Sequence, residues 1–148
     1  MRTHTVEILI TVTQTEDKLS DEPQFIGEYV LRAFDADGTL IREAREQIPL
    51  EIATSDCARL VTLAAALKRL HDKLDGESAW YALRIVQSSK NVDGWLSKGW
   101  KRNVESVRKL TAIVDVLLKL FPQCEFVQVS RAELDAQIAT GKVVMTTA

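Results

Sequence analysis

The chain has 148 residues, of which 46% are hydrophobic and 27% charged, with a formal net charge of −2. This length predicts one globular domain over residues 1–148, burying about two-thirds of its unfolded surface. The slightly acidic balance excludes a protein that coats nucleic acid by global charge, although it leaves room for a local basic patch. No apolar run reaches the roughly 18 residues of a membrane helix. The N-terminus also lacks a signal-peptide pattern, so we expect no membrane association and a cytoplasmic location.

The first third of the sequence predicts a three-stranded meander. Residues 6–13 alternate polar and β-branched side chains, which favours a strand with at least one buried face. Residues 14–24 are polar and predict an exposed loop, and residues 25–34 return to an extended pattern. Asp and Gly in residues 35–38 are typical of a tight turn, followed by a return strand over residues 39–48.

The remainder alternates helices and strands. Residues 57–74 have leucines at three- and four-residue spacing after three candidate N-caps, Thr54, Ser55 and Asp56, and predict an amphipathic helix. The later predicted elements are a strand over 80–86, a short helix after Ser88 and Ser89 that runs through Leu96, a helix over 104–120, a strand over 124–129 and a helix over 132–139. Residues 142–147 have a strand-like composition suited to pairing with a sheet edge. Cys57 and Cys124 lack a CxxC partner and are expected to be free thiols.

A short motif after the second predicted strand resembles a catalytic signature. Residues 34–40, FDADGTL, resemble the phosphorylated-aspartate motif of haloacid dehalogenase-type phosphatases. That resemblance would make Asp35 a nucleophile and Asp37 an acid/base. The motif needs a buried parallel strand before it, whereas Glu28 and Arg32 predict a half-exposed antiparallel strand. We therefore interpret residues 34–40 as a hairpin turn.

A second resemblance spans almost the whole chain. Residues 88–96, SSKNVDGWL, and 99–103, GWKRN, resemble the strand end, short helix and Trp- and Lys-rich handle of the ribonuclease H type 1 family. Residues 54–70 are similar in spacing to that family's first helix, and residues 129–131 and 135–139 to its last strand and helix. The element order β-β-β-α-β-α-α-β-α agrees. The resemblance implies an α/β (α+β) ribonuclease H-like fold with a five-stranded mixed sheet flanked by helices.

The family cleaves the RNA strand of RNA–DNA hybrids with two Mg²⁺ ions held by four acids. The positions that match those acids carry Thr11, Arg59, Ser88 and Asp135, with the register at Thr11 open by one or two residues. Because only Asp135 is a carboxylate, the sequence predicts a degenerate site with no bound metal or cofactor, and a protein that is not an enzyme. One alternative remains open, a rearranged metal site that uses Glu16, Asp17, Asp56 and Asp93.

Two binding roles are compatible with such a domain. A nucleic-acid-binding surface, for RNA–DNA hybrid or duplex, is predicted at Lys90, Asn91, Lys98, Trp100, Lys101 and Arg102. The alternative meaning of these residues is structural, since tryptophans often anchor short helices and surface lysines are usually solvated. The other role is a homodimer or protein–protein module, in which apolar positions 110, 113, 114, 117 and 118 of one helix contact a partner.

Overall fold

The computed structural model describes residues 4–15 and 24–147, with side chains as far as residue 139. Within these residues five strands and four α-helices follow one another in the predicted order. They are β1 (His4–Thr15), β2 (Gln24–Phe34), β3 (Leu40–Glu51), α1 (Ser55–Leu74), β4 (Tyr81–Gln87), α2 (Lys90–Ser97), α3 (Glu105–Leu118), β5 (Gln123–Gln128) and α4 (Arg131–Thr147). A 3₁₀ turn over Ser78–Trp80, which the sequence pattern did not predict, leads into β4.

The strands form one mixed sheet in the order β3-β2-β1-β4-β5. β2 pairs antiparallel with both β1 and β3, whereas β4 pairs parallel with both β1 and β5. The parallel pairs need crossover connections, which α1 and the α2–α3 pair supply. The predicted five-stranded mixed sheet flanked by helices is therefore confirmed.

Alternating side chains of β1 divide the interior into two layers. Val6, Ile8 and Ile10 point into the larger core, where they pack with buried leucines of α1 and with Val114 of α3. Leu9 points to the opposite face, where the buried apolar set is completed by Val30, Val86, Leu134 and Ile138. Because successive side chains of a strand point to opposite faces, the central strand β1 contributes side chains to both layers.

Helix α1 is fixed at both ends by local chemistry. The Thr54 side chain accepts a hydrogen bond from the Cys57 amide at 3.1 Å, so Thr54 is the N-cap among the three candidates. At the other end Asp75 adopts a left-handed conformation, with φ of 47°, and Gly76 follows with φ of 85°. Such a pair commonly ends an α-helix.

The hairpin between β2 and β3 confirms the interpretation of residues 34–40 as a turn. Asp35 and Asp37 accept hydrogen bonds from the Thr39 amide at 3.1 and 3.0 Å, and Gly38 takes the positive φ of 88° that the turn requires. The strand before the turn is antiparallel on both sides, unlike the strand that a phosphatase motif follows.

Three further predictions can be compared with the structure. Residues 142–147 belong to α4, so the prediction of an edge-pairing strand there is wrong. Cys57 and Cys124 are free thiols as predicted, and burial together with the nearby Glu125 charge raises the pKa of Cys124 to about 11. Throughout the described part of the chain, no helix has the length and apolar character needed to cross a membrane. Most of the polar loop predicted over residues 14–24 lies outside the described residues.

Candidate nucleic-acid interface and the matched acid positions

The four positions that match the family's acids do not all line one cavity. Thr11 of β1 and Asp135 of α4 line a shared depression of about 310 Å³. Arg59 of α1 and Ser88, which follows β4, are not among its lining residues. Thr11 is 5% exposed, whereas the Asp135 side chain is 55% exposed. The depression therefore joins one hydroxyl and one carboxylate of the predicted set.

A guanidinium group occupies the edge of this depression. Arg131, the first residue of α4, donates from Nε to Asp135 at 3.0 Å and from Nη1 to the Val12 carbonyl at 2.6 Å. Its Nη2 donates to the Thr13 hydroxyl at 3.0 Å. The single matched carboxylate is thus already paired with a fixed positive charge, and this cation also joins α4 to the end of β1.

Arg59 is turned toward a second polar cluster near the start of α2. Its Nη1 contacts Asp56 at 3.0 Å, and Asp56 also accepts from Ser89 Oγ at 2.6 Å and from Asn91 Nδ2 at 3.1 Å. Asp56 therefore links the first turns of α1 and α2 rather than capping α1. The charge of Arg59 is therefore paired with the nearest acid.

The residues present do not fit the pair of Mg²⁺ ions that the fold family implies. Asp93, one of the proposed rescue acids, is buried and pairs with Lys98 at 3.4 Å, while Asp56 is bound as described above. In the part of the chain that the structure describes, no group of three or more His, Cys, Asp or Glu side chains could hold a metal ion. Glu16 and Asp17 lie outside that part. Paired hard cations need several converging oxygen ligands, which these positions do not supply.

Trp100 is the centre of the predicted nucleic-acid surface. Its indole ring packs so closely on Gly94 of α2 that a Cβ added at Gly94 would overlap it, and its amide donates to the Gly94 carbonyl at 3.0 Å. Trp100 is nevertheless 39% exposed, with the Lys98 ammonium 5.9 Å from the centroid of its ring. Glycine at position 94 therefore allows an aromatic ring to be fixed at the surface beside a cation.

The cations near Trp100 in the sequence differ in how many contacts they make with other residues of the protein. Arg102 donates to Asp115 at 2.6 Å and to the Trp95 carbonyl at 2.8 Å, so its guanidinium anchors this segment to α3. Lys98 keeps a 54% exposed side chain despite its ion pair with Asp93. Lys90 and Lys101 are exposed and form no ion pair with any described residue. Lys98 beside the indole and the exposed Lys90 and Lys101 are thus available to a ligand.

Comparison with known proteins identifies the fold. No protein-family model and no curated protein sequence matches the chain. Among the most similar solved structures is the RNase H1 of the halophilic archaeon Halobacterium salinarum, at 21% identity and a TM-score of 0.67, over 88% of this chain and 89% of that one. LC11-RNase H1, solved in complex with an RNA/DNA hybrid, matches at 12% identity and a TM-score of 0.65, over 90% and 89%. The chain therefore has the RNase H-like fold that its sequence resembles.

These matches correct the prediction that the chain is not an enzyme. The matched structures are ribonucleases H1, and this chain shares their fold. Three missing acids did not justify the opposite conclusion, because one fold can carry more than one active-site motif. LC9-RNase H1, which matches at 14% identity and a TM-score of 0.62 over 88% of this chain and 65% of that one, is a type 1 RNase H with the type 2 active-site motif.

The sequence did not indicate the role of two arginines. Arg131 lies four residues before Asp135, a spacing typical of a helical ion pair, but that spacing does not indicate its contact with the Val12 carbonyl of β1. Arg32 was predicted to lie on a half-exposed strand, yet it is 4% exposed and its guanidinium donates to the Gln137 and Ile138 carbonyls at 2.9 and 2.8 Å. These contacts join residues more than 100 positions apart in the sequence, so no local sequence pattern predicts them.

Proposed function

We propose that the chain is a single RNase H-like domain that binds RNA–DNA hybrid or duplex nucleic acid through α2 and the segment that follows it. The observation that carries this proposal is Trp100, held on Gly94 with its ring partly exposed and Lys98 beside it. Lysines supply phosphate contacts and an exposed aromatic ring supplies stacking. The hybrid bound by LC11-RNase H1, on the same fold, supports this choice of ligand.

The predicted surface residues divide into two roles under this proposal. Lys90, Lys98, Lys101 and Trp100 contact the nucleic acid. Asn91 and Arg102 hold the surface in place, through Asp56 and Asp115 respectively. Free thiols at both cysteines support a reducing compartment, and we place the protein in the cytoplasm.

Fluorescence anisotropy with labelled hybrid, duplex DNA and duplex RNA tests the proposal. Replacing Lys90, Lys98 and Lys101 together with Ala should weaken binding and should flatten the dependence of log K on log salt by about 2 to 3. The matched control replaces three exposed lysines elsewhere, Lys68, Lys109 and Lys119, with Ala. Equal weakening by both variants, or binding that does not respond to salt, contradicts the proposal.

A second candidate role, as a homodimer or protein-binding module, rests on helix α3. Val114 is fully buried and the leucines of the predicted stripe pack on the core, but Ile113 and Val116 are 52% and 63% exposed. Side chains of this kind favour a partner when they lie together on one helix. Light scattering of the chain and of a Val116→Asp variant tests this role. A monomer in both cases rules out the homodimer.

A further inference from the structure

An apolar groove lies at the end of the sheet opposite the acid positions. Its floor is formed by Val6 of β1, Leu31 of β2, and Leu70 and Leu74 of α1, and its volume is about 360 Å³. Val6 and Thr11 are five residues apart on β1, so the groove is about 17 Å from the matched acid site. None of its lining residues belongs to α2 or to the segment around Trp100, so the groove is also separate from the surface that the proposed function uses.

Among the described residues, two cations and no acid line the groove. Arg42 of β3 and Lys73 of α1 are exposed lining residues, and the other described residues that line it are apolar or aromatic. Neither cation forms an ion pair with a residue in the described ranges, although arginines 32, 45, 59, 69, 84, 102 and 131 all do. In a chain of net charge −2, a purely positive rim around an apolar floor is a specific local arrangement.

The end of α1 opposes this charge only weakly. The carbonyl end of a helix carries about half a negative charge, which is small against two full cations. The groove therefore combines an apolar floor with a net positive rim. A volume of about 360 Å³ is within the range of about 300 to 1,000 Å³ that is usual for small-molecule sites.

We propose that this groove binds a small amphipathic anion, an apolar chain or ring that carries one carboxylate. Apolar burial against Val6, Leu31, Leu70 and Leu74 supplies affinity, and Arg42 and Lys73 select the charged head. A neutral molecule of the same shape gains the apolar contact but not the ion pairs. This site is independent of nucleic-acid binding.

Titration of the full chain with octanoate, followed by ¹H–¹⁵N NMR, tests the site. Saturable shifts are expected at the amides of Ala33, Ala44 and Leu74, which line the groove. 1-Octanol, the neutral counterpart, is expected to bind at least tenfold more weakly. Shifts confined to other parts of the protein, no saturable shift, or equal binding of octanol would each overturn the proposal.

Charge variants test the two cations directly. The Arg42→Gln/Lys73→Gln double variant should lose at least tenfold in octanoate affinity, and both positions are exposed, so the fold should be retained. Lys68→Gln is the matched control, because Lys68 is an exposed lysine of α1 outside the groove. The Lys90/Lys98/Lys101 variant should bind octanoate normally, which separates this site from the proposed function. Unchanged affinity in the double variant refutes the assignment of Arg42 and Lys73.

Discussion

The two faces of the sheet hold their helices by different means. Toward α1 and α3 the contact is a continuous apolar core, with Leu60, Leu63 and Leu67 of α1 packed on the even-numbered side chains of β1. Toward α4 the side chains described up to residue 139 give a smaller buried apolar set of five residues, and arginines of the strands bind backbone carbonyls of the helix. One face depends mainly on apolar area, and the other adds buried charge.

This difference changes what a single substitution should do on each face. An apolar core loses free energy in proportion to the volume removed or forced into it. A buried guanidinium instead satisfies several acceptors at once, and its loss removes one donor from each of them. The α4 face, with its smaller apolar set, should therefore be the more sensitive to the substitution of one polar side chain.

The largest effect is expected from Arg32→Met. The side chain of Arg32 is 5% exposed, and it donates to Glu43 at 2.9 Å as well as to two α4 carbonyls. Loss of one partner in such a buried network costs about 3–5 kcal/mol. Urea unfolding followed by circular dichroism measures this change.

The matched control for Arg32→Met is Arg84→Met. Arg84 is also a strand arginine near Glu7, at 3.8 Å, but its side chain is 46% exposed. An exposed ion pair contributes about 0–1 kcal/mol, so this variant should unfold nearly as the parent does. If the two variants lose the same stability, the α4 face does not depend on buried charge.

A smaller loss is expected on the opposite face from Gly27→Ala. Gly27 of β2 lies against Thr62 of α1, and an added Cβ would overlap the Thr62 hydroxyl. Because Thr62 is fully buried and donates to the Ala58 carbonyl at 2.8 Å, it cannot turn away freely. Overpacking of this kind costs about 1–3 kcal/mol.

Urea unfolding of Gly27→Ala in a Thr62→Ala background provides the control. Removing the Thr62 hydroxyl takes away the atom that meets the new methyl group, so the two substitutions together should cost less than the sum of their separate costs. Additive losses would show that the contact between β2 and α1 is not tight at this point.

The face that packs on α1 and α3 could be predicted from sequence, and much of the α4 face could not. Leucine spacing in α1 and alternation in β1 are local signals that report apolar burial directly. Arg32 and Arg131 make their main contacts with residues 105 to 119 positions away, so a strand arginine and a helix-start arginine both resemble solvated surface residues. The same limit applies at Asp135, which was predicted by its matched position without the guanidinium that pairs with it.

The smallest expected effect is a change in acid sensitivity in Glu43→Gln. Although burial raises the pKa of Glu43, hydrogen bonds from Arg45 and Arg32 outweigh it and hold that pKa below its usual 4.5. The unfolded chain therefore binds a proton at Glu43 at higher pH than the folded chain does, and stability from this carboxylate is present above about pH 4.5 and lost as pH falls below it. Glutamine keeps a side-chain oxygen that can accept from the two arginines, but it carries no charge and does not titrate. Exchanging charge-assisted for neutral hydrogen bonds should make the variant less stable by about 1 kcal/mol at neutral pH, with the difference shrinking in acid. Unfolding free energies measured in urea from neutral pH into the acid range test this, with Glu46→Gln on the same strand as the reference for removing one carboxylate. A gap between Glu43→Gln and the parent that stays constant with pH would mean that Glu43 supports the α4 face through its shape rather than its charge.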